Sequence, residues 1–85
     1  MSRAEILDEL KKVLTPYTEN KEMLAGITEE TDLIKDLKIN SANLVDIIID
    51  AESQYNIEID FDSAEKMFSV GNCIDVIADK VNHSA

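Results

Sequence analysis

The chain has 85 residues and a formal net charge of −10 at pH 7, which bounds it to one small domain with little room for a deep catalytic cavity. A hydrophobic fraction of 45% suffices for a packed core and argues against wholesale disorder. The acidic balance argues against nucleic acid or an anionic membrane as partner. One proline and two glycines, with leucine, isoleucine and alanine at helical spacing, favour an all-α fold.

Ser2-x-x-Glu5 has the form of a capping box, and Ile6, Leu7, Leu10, Val13 and Leu14 follow on one helical face. The spacing predicts a first helix near residues 3–15, stopped by Pro16. From Thr15 to Ile39 the apolar residues Tyr17, Met23, Leu24, Ile27, Leu33, Ile34 and Leu37 are unevenly spaced. A long loop pinned by those side chains is expected, with short turns at Asn20–Leu24 or Leu33–Leu37; loops this long are uncommon in compact domains.

Asn40 is a strong N-cap residue, and Ser41 is expected at the first position of a second helix running to about Tyr55. A serine there has its hydroxyl beside unpaired backbone N–H groups and the positive end of the helix dipole, where a phosphate ester is stabilised. Leu44, Ile47, Ile48, Ala51 and Tyr55 form a core-facing stripe. Val45 and Ile49 lie to one side of it, interleaved with Asp46, Asp50 and Glu52. Asn56 suits a left-handed helix end.

Ile57 to Phe61 alternates as a short strand would, but no second segment offers a pairing partner, so an extended linker is expected, with Ile57, Ile59 and Phe61 docking inward. Asp62-x-x-Glu65 heads a short helix near 63–68, with Ala64, Met67 and Phe68 toward the core. Ser69 caps a last helix near 70–81, with Val70, Cys73, Ile74, Ile77 and Val81 as its buried stripe, and residues 82–85 form a frayed tail.

Seven acidic residues (Asp46, Asp50, Glu52, Glu58, Asp60, Asp62, Glu65) and no lysine or arginine lie between Ile39 and Glu65. One face is therefore strongly negative and suited to steering toward basic patches on other proteins. Catalysis is not supported: Ser41 has no credible general base, since the only histidine, His83, is in the tail, and there is no Gly-x-Ser-x-Gly elbow. A dedicated metal site is not expected, because Asp60-Phe61-Asp62 departs from calcium-loop spacing at Glu65 and Gly71. Cys73 reads as an inert buried thiol, and a lone cysteine fits a reducing compartment. The start of the chain has no apolar targeting core and no run is long enough to span a membrane, so a cytoplasmic monomer is expected.

Asn40-Ser41-Ala42 opening an acidic helix, in this order of helix, long loop, serine-headed helix, short helix and last helix, resembles an acyl carrier protein over essentially the whole chain. Asp32-Leu33 and Asp36-Leu37 resemble the segment leading to that family's modified serine. The resemblance implies a small four-helix bundle with a long first loop and a short third helix. It also implies a 4′-phosphopantetheine arm on Ser41 whose thiol holds acyl groups as thioesters for partner enzymes of fatty-acid, polyketide or related lipid synthesis. By position, Asn40, Ala42, Val45, Asp46, Ile49 and Glu52 would meet a phosphopantetheinyl transferase and acyl-processing enzymes with basic docking patches. Leu44, Ile48, Ile59, Ala64, Met67 and Ile74 would line a space for short acyl chains; they are equally the expected core.

Two positions depart from the family pattern. Asn40 stands where aspartate is usual, which keeps the cap and loses the charge, and Ala42 stands where leucine is usual. Both tilt the reading toward a specialised carrier. A peptidyl or aminoacyl carrier is the alternative with the same arm, and an unmodified acidic docking module is the alternative without it.

Overall fold

A computed structural model describes residues 1–82; His83 and the rest of the expected tail after Asn82 lie outside the described residues. Within them the fold is all-α, with five α-helices and one 3-10 turn: α1 Arg3–Leu14, α2 Lys21–Ala25, the turn Ser41–Asn43, α3 Leu44–Tyr55, α4 Phe61–Ala64 and α5 Val70–Asn82.

α1 starts on the capping box read from the sequence: Ser2 Oγ accepts from Glu5 N–H and Glu5 Oε1 accepts from Ser2 N–H, each at 3.2 Å. Its apolar face, with Ile6, Leu10, Val13 and Leu14 buried, packs against α3 and α5 and also touches α2. Each such side chain contributes about 1.5–3 kcal/mol on burial. Across the α1–α3 seam, Tyr55 donates to the Ile6 carbonyl at 2.8 Å and Gln54 donates to the Glu9 carboxylate.

The long segment between α1 and the 3-10 turn, irregular outside α2, is knit by side-chain to backbone bonds, which answers where such a stretch satisfies its buried polar groups. Buried Thr18 donates to the Leu37 carbonyl at 2.6 Å, and Asp32 Oδ1 accepts from Ile34 and Lys35 N–H at 2.9 and 2.8 Å. Leu33, Leu37 and Ile39 anchor it in the core. One turn of it closes into α2 because Asn20 Oδ1 caps Met23 N–H at 3.1 Å.

The same segment caps α5. Val70 and Gly71 N–H donate to the Thr31 and Glu29 carbonyls at 2.9 and 2.8 Å, and Asn72 N–H donates to Ser69 Oγ at 3.1 Å. These are N–H groups that a helix start leaves without an internal partner. The approach is close: a Cβ at Gly71 would stand 2.7 Å from the Glu29 carbonyl oxygen. Gly71→Ala is therefore expected to push this crossing apart and cost about 1–3 kcal/mol, read as a lowered urea midpoint with unchanged slope.

The second helix differs from its expected form: 41–43 is a 3-10 turn and regular α-helix begins at Leu44. Asn56 ends it in the left-handed conformation, φ 55° and ψ 52°. Ile57–Asp60 belongs to no helix or strand, and Asp60 has extended backbone. The short helix spans Phe61–Ala64 and not 63–68, because Asp60, and not Asp62, is its cap, accepting from Ser63 N–H at 3.2 Å. Asp60 also pairs with Lys80 at 2.9 Å, and Lys80 together with Ser63 holds its carboxyl well below the usual carboxylate range. Stability from a depressed carboxylate is present above the unfolded value and lost as pH falls through the folded one, so this cap survives mild acid.

Candidate functional site

The candidate site begins at Asn40, which has extended backbone and whose Oδ1 accepts from Ala42 N–H at 2.9 Å. Asn43 N–H donates to the Asn40 carbonyl at 2.8 Å. Asn40 thus performs the capping at this helix start, and the adjacent Ser41, exposed like Ala42, is not enlisted as a cap. Elsewhere in the chain serines at helix starts are so used: Ser2 caps α1 and Ser69 caps the first turn of α5.

Ser41 stands at the rim of an open groove of about 790 Å³, within the size range of small-molecule sites. One wall is Leu44, Val45 and Ile48 of the α3 side; the other is Ile59, Phe61, Ala64, Glu65 and Phe68. Behind it, a void of only about 10 Å³ touches Leu33, Leu44, Ile47, Ile48, Ala64, Met67 and Cys73, room for about one water. Leu44, Ile48 and Ala64 border both spaces, so the groove floor is the outer skin of the core.

Four of the six residues expected around a cargo space, Leu44, Ile48, Ile59 and Ala64, meet at this groove. Met67 lies behind them on the small void. Ile74 has no exposed surface and is a core residue, bordering neither space. Phe61 and Phe68, both expected to turn toward the core, instead line this groove and are 76% and 56% exposed. The available signal was the extended linker: a cap at Asp60 puts Phe61 on the first turn of a helix too short to bury it.

Along α3, Val45 and Ile49 are 63% and 55% exposed, so both lie outside the core stripe, with exposed Asp46 between them. Asp50 accepts from the Tyr17 hydroxyl, and this bond, with desolvation and the charges of Asp50 and Asp46, pushes that hydroxyl up to about 12. Glu52 is half-buried and accepts from Ile59 N–H at 2.9 Å. The site is an exposed hydroxyl, an apolar groove and an acidic, partly apolar helix face. Among the described residues, no three His, Cys, Asp or Glu side chains are grouped to hold a metal ion, and no helix is long and apolar enough to cross a membrane.

Cys73 is fully buried and borders the small void, and burial pushes its thiol up to about 12. At pH 8 it is protonated and enclosed, so it is expected to react with a disulfide reagent only after unfolding.

Comparison with protein-family profiles finds no match. Comparison with curated proteins finds relatives along nearly the full length. The acyl carrier protein of Thermotoga maritima is 34% identical over 80 residues, covering 94% of this chain and 96% of that protein. The acyl carrier protein of Lactobacillus acidophilus is 35% identical over 78 residues, covering 91% of this chain and 94% of that protein. That of Helicobacter pylori is 38% identical over 55 residues, covering 65% of this chain and 70% of that protein. With identities and coverage of this extent, the chain belongs to the acyl carrier protein family.

Proposed function

We propose that this chain carries acyl groups on a 4′-phosphopantetheine arm joined through a phosphodiester to the Ser41 hydroxyl. In this reading it presents them to enzymes of fatty-acid, polyketide or related lipid synthesis. The observation that carries the reading is the exposed Ser41 at the rim of an apolar groove, beside a cap that Asn40 already supplies. An exposed hydroxyl free of capping duty fits such an ester, since its modification displaces no packed atom. When attached, the arm would supply the thiol on which an acyl group is held as a thioester.

The groove walls Leu44, Ile48, Ile59 and Ala64, backed by Met67, would shelter the apolar part of the cargo. Val45, Ile49 and Asp46 would form the docking strip for a phosphopantetheinyl transferase and for acyl-processing enzymes with basic patches, since apolar contact fixes a complex and charge speeds its encounter. Asn40 and Ala42 flank the attachment point; a transferase that reads an aspartate there would meet a neutral amide, which favours a specialised pathway. We read the whole as one carrier domain, 1–85, with the four-helix arrangement of the family and α2 as a turn within its long first loop. We read it as monomeric and, given its buried reduced thiol, cytoplasmic.

The buried Cys73 makes a thiol count a clean test. The unmodified folded chain is expected to yield no fast-reacting thiol. After treatment with coenzyme A, magnesium and a broad-specificity phosphopantetheinyl transferase, it should yield one per chain. A count that stays at zero with an active transferase would contradict the proposal.

A further inference from the structure

Glu52 belongs by position to the acidic edge of α3, yet its carboxylate is directed to the backbone of its own chain. Oε2 accepts from Ile59 N–H at 2.9 Å, and the Glu52 carbonyl accepts from Asn56 N–H and, at 3.1 Å, from Ile57 N–H. One residue thus gathers three amides of the turn that leaves α3. A carboxylate in the last turn of a helix is opposed by the helix dipole, so the amide it captures accounts for its half-buried placement. Ile59 is a wall of the groove. The next residue, Asp60, caps α4 and pairs with Lys80. α4 has four residues, too few to be stable alone, and its place is set by these tethers.

We propose that Glu52 is a positioning residue of the groove: through the Ile59 amide it holds the wall of Ile59, Phe61 and Ala64 against Leu44 and Ile48, and it is not a docking contact for basic partners. The inference rests on the carrier reading of the groove. It requires an acceptor oxygen and no charge. Glu52→Gln keeps the acceptor, whereas Glu52→Ala leaves a partly buried N–H unpaired. A docking role makes the opposite demand, since it needs the charge.

The wild-type chain, Glu52→Gln and Glu52→Ala are loaded with acetyl- or octanoyl-4′-phosphopantetheine from the matching coenzyme A thioesters by a phosphopantetheinyl transferase, which releases adenosine 3′,5′-bisphosphate, with loading verified by mass. Hydrogen exchange at the Ile59 amide is read in the unloaded chains, and thioester cleavage by hydroxylamine in the loaded ones. In Glu52→Ala the amide should exchange about tenfold faster, the factor expected for one lost hydrogen bond. Its octanoyl thioester should be cleaved several-fold faster than wild type and its acetyl thioester, too short to reach the wall, at the wild-type rate. Glu52→Gln should match wild type in every reading. If Glu52→Ala does not fold, Glu52→Leu, which keeps bulk and helix propensity without an acceptor, takes its place. A Glu52→Gln chain that behaves like Glu52→Ala overturns the proposal, as does an octanoyl rate unchanged by loss of the acceptor. Wild-type octanoyl cleaved as fast as acetyl overturns the cargo groove and this inference with it, and failure to load at all overturns the carrier reading first.

Discussion

Ser41→Ala is expected to abolish attachment of the arm completely while leaving the fold intact. The phosphodiester needs the hydroxyl oxygen, and no neighbouring side chain can stand in for it: Asn40 offers an amide and Ala42 a methyl group. The fold has no comparable need. Ser41 is exposed and the cap belongs to Asn40, so the substitution falls among surface changes worth within about 0.5 kcal/mol. The variant should therefore melt with the wild type and gain no mass from a transferase that modifies the wild type. The same substitution separates the carrier from an acidic docking module. A module that uses only Val45, Ile49 and Asp46 would keep its partner affinity and its cellular role without Ser41, whereas a carrier would keep the affinity and lose the role.

Ile74→Ala should produce the largest loss of stability among the residues considered for the cargo space. Ile74 has no exposed surface and sits in the core formed with Ile6, Leu10, Leu33 and Ile77. Large-to-alanine substitutions at such sites cost about 2–5 kcal/mol, a large share of the roughly 5–15 kcal/mol that stabilises an ordinary domain. Urea denaturation should show a strongly lowered midpoint with an unchanged slope. Were Ile74 a cargo wall, its truncation would enlarge a space that is already open and cost little. A midpoint loss worth less than about 1 kcal/mol, below the usual range for a buried isoleucine, would contradict its placement in the core.

What the sequence disclosed and what it hid follow from the range of the interactions involved. The α1 capping box and the left-handed Asn56 depend on a few neighbouring residues and were legible. So was the division of α3 between a core stripe and the exposed pair Val45 and Ile49, because helical periodicity separates the two. The start of α4 was not legible. Asp60 and Asp62 are both plausible caps two residues apart, and Asp60 also bonds Lys80 on α5. That contact, twenty residues away in sequence, accompanies an upstream helix that leaves Phe61 and Phe68 in solvent. The capping of α5 by the Glu29 and Thr31 carbonyls was hidden for the same reason.

At the site, the position of Ser41 at a helix start could be read from Asn40 alone, but its 3-10 geometry and the groove beside it could not. The groove needs the Ile59–Phe68 segment to fold back over α3, and no local pattern encodes that approach. Glu52 shows the limit most clearly. Its charge and spacing place it with Asp46, and the Ile59 amide its carboxylate holds lies beyond the helix, where no periodicity points.

The most direct measurement is the intact mass of the wild-type chain after incubation with coenzyme A, magnesium and phosphopantetheinyl transferases, followed by peptide fragmentation. The carrier account predicts a gain of one phosphopantetheine, located on Ser41. An unchanged mass with several active transferases, including those of the native host, or an adduct on any other residue, would contradict it.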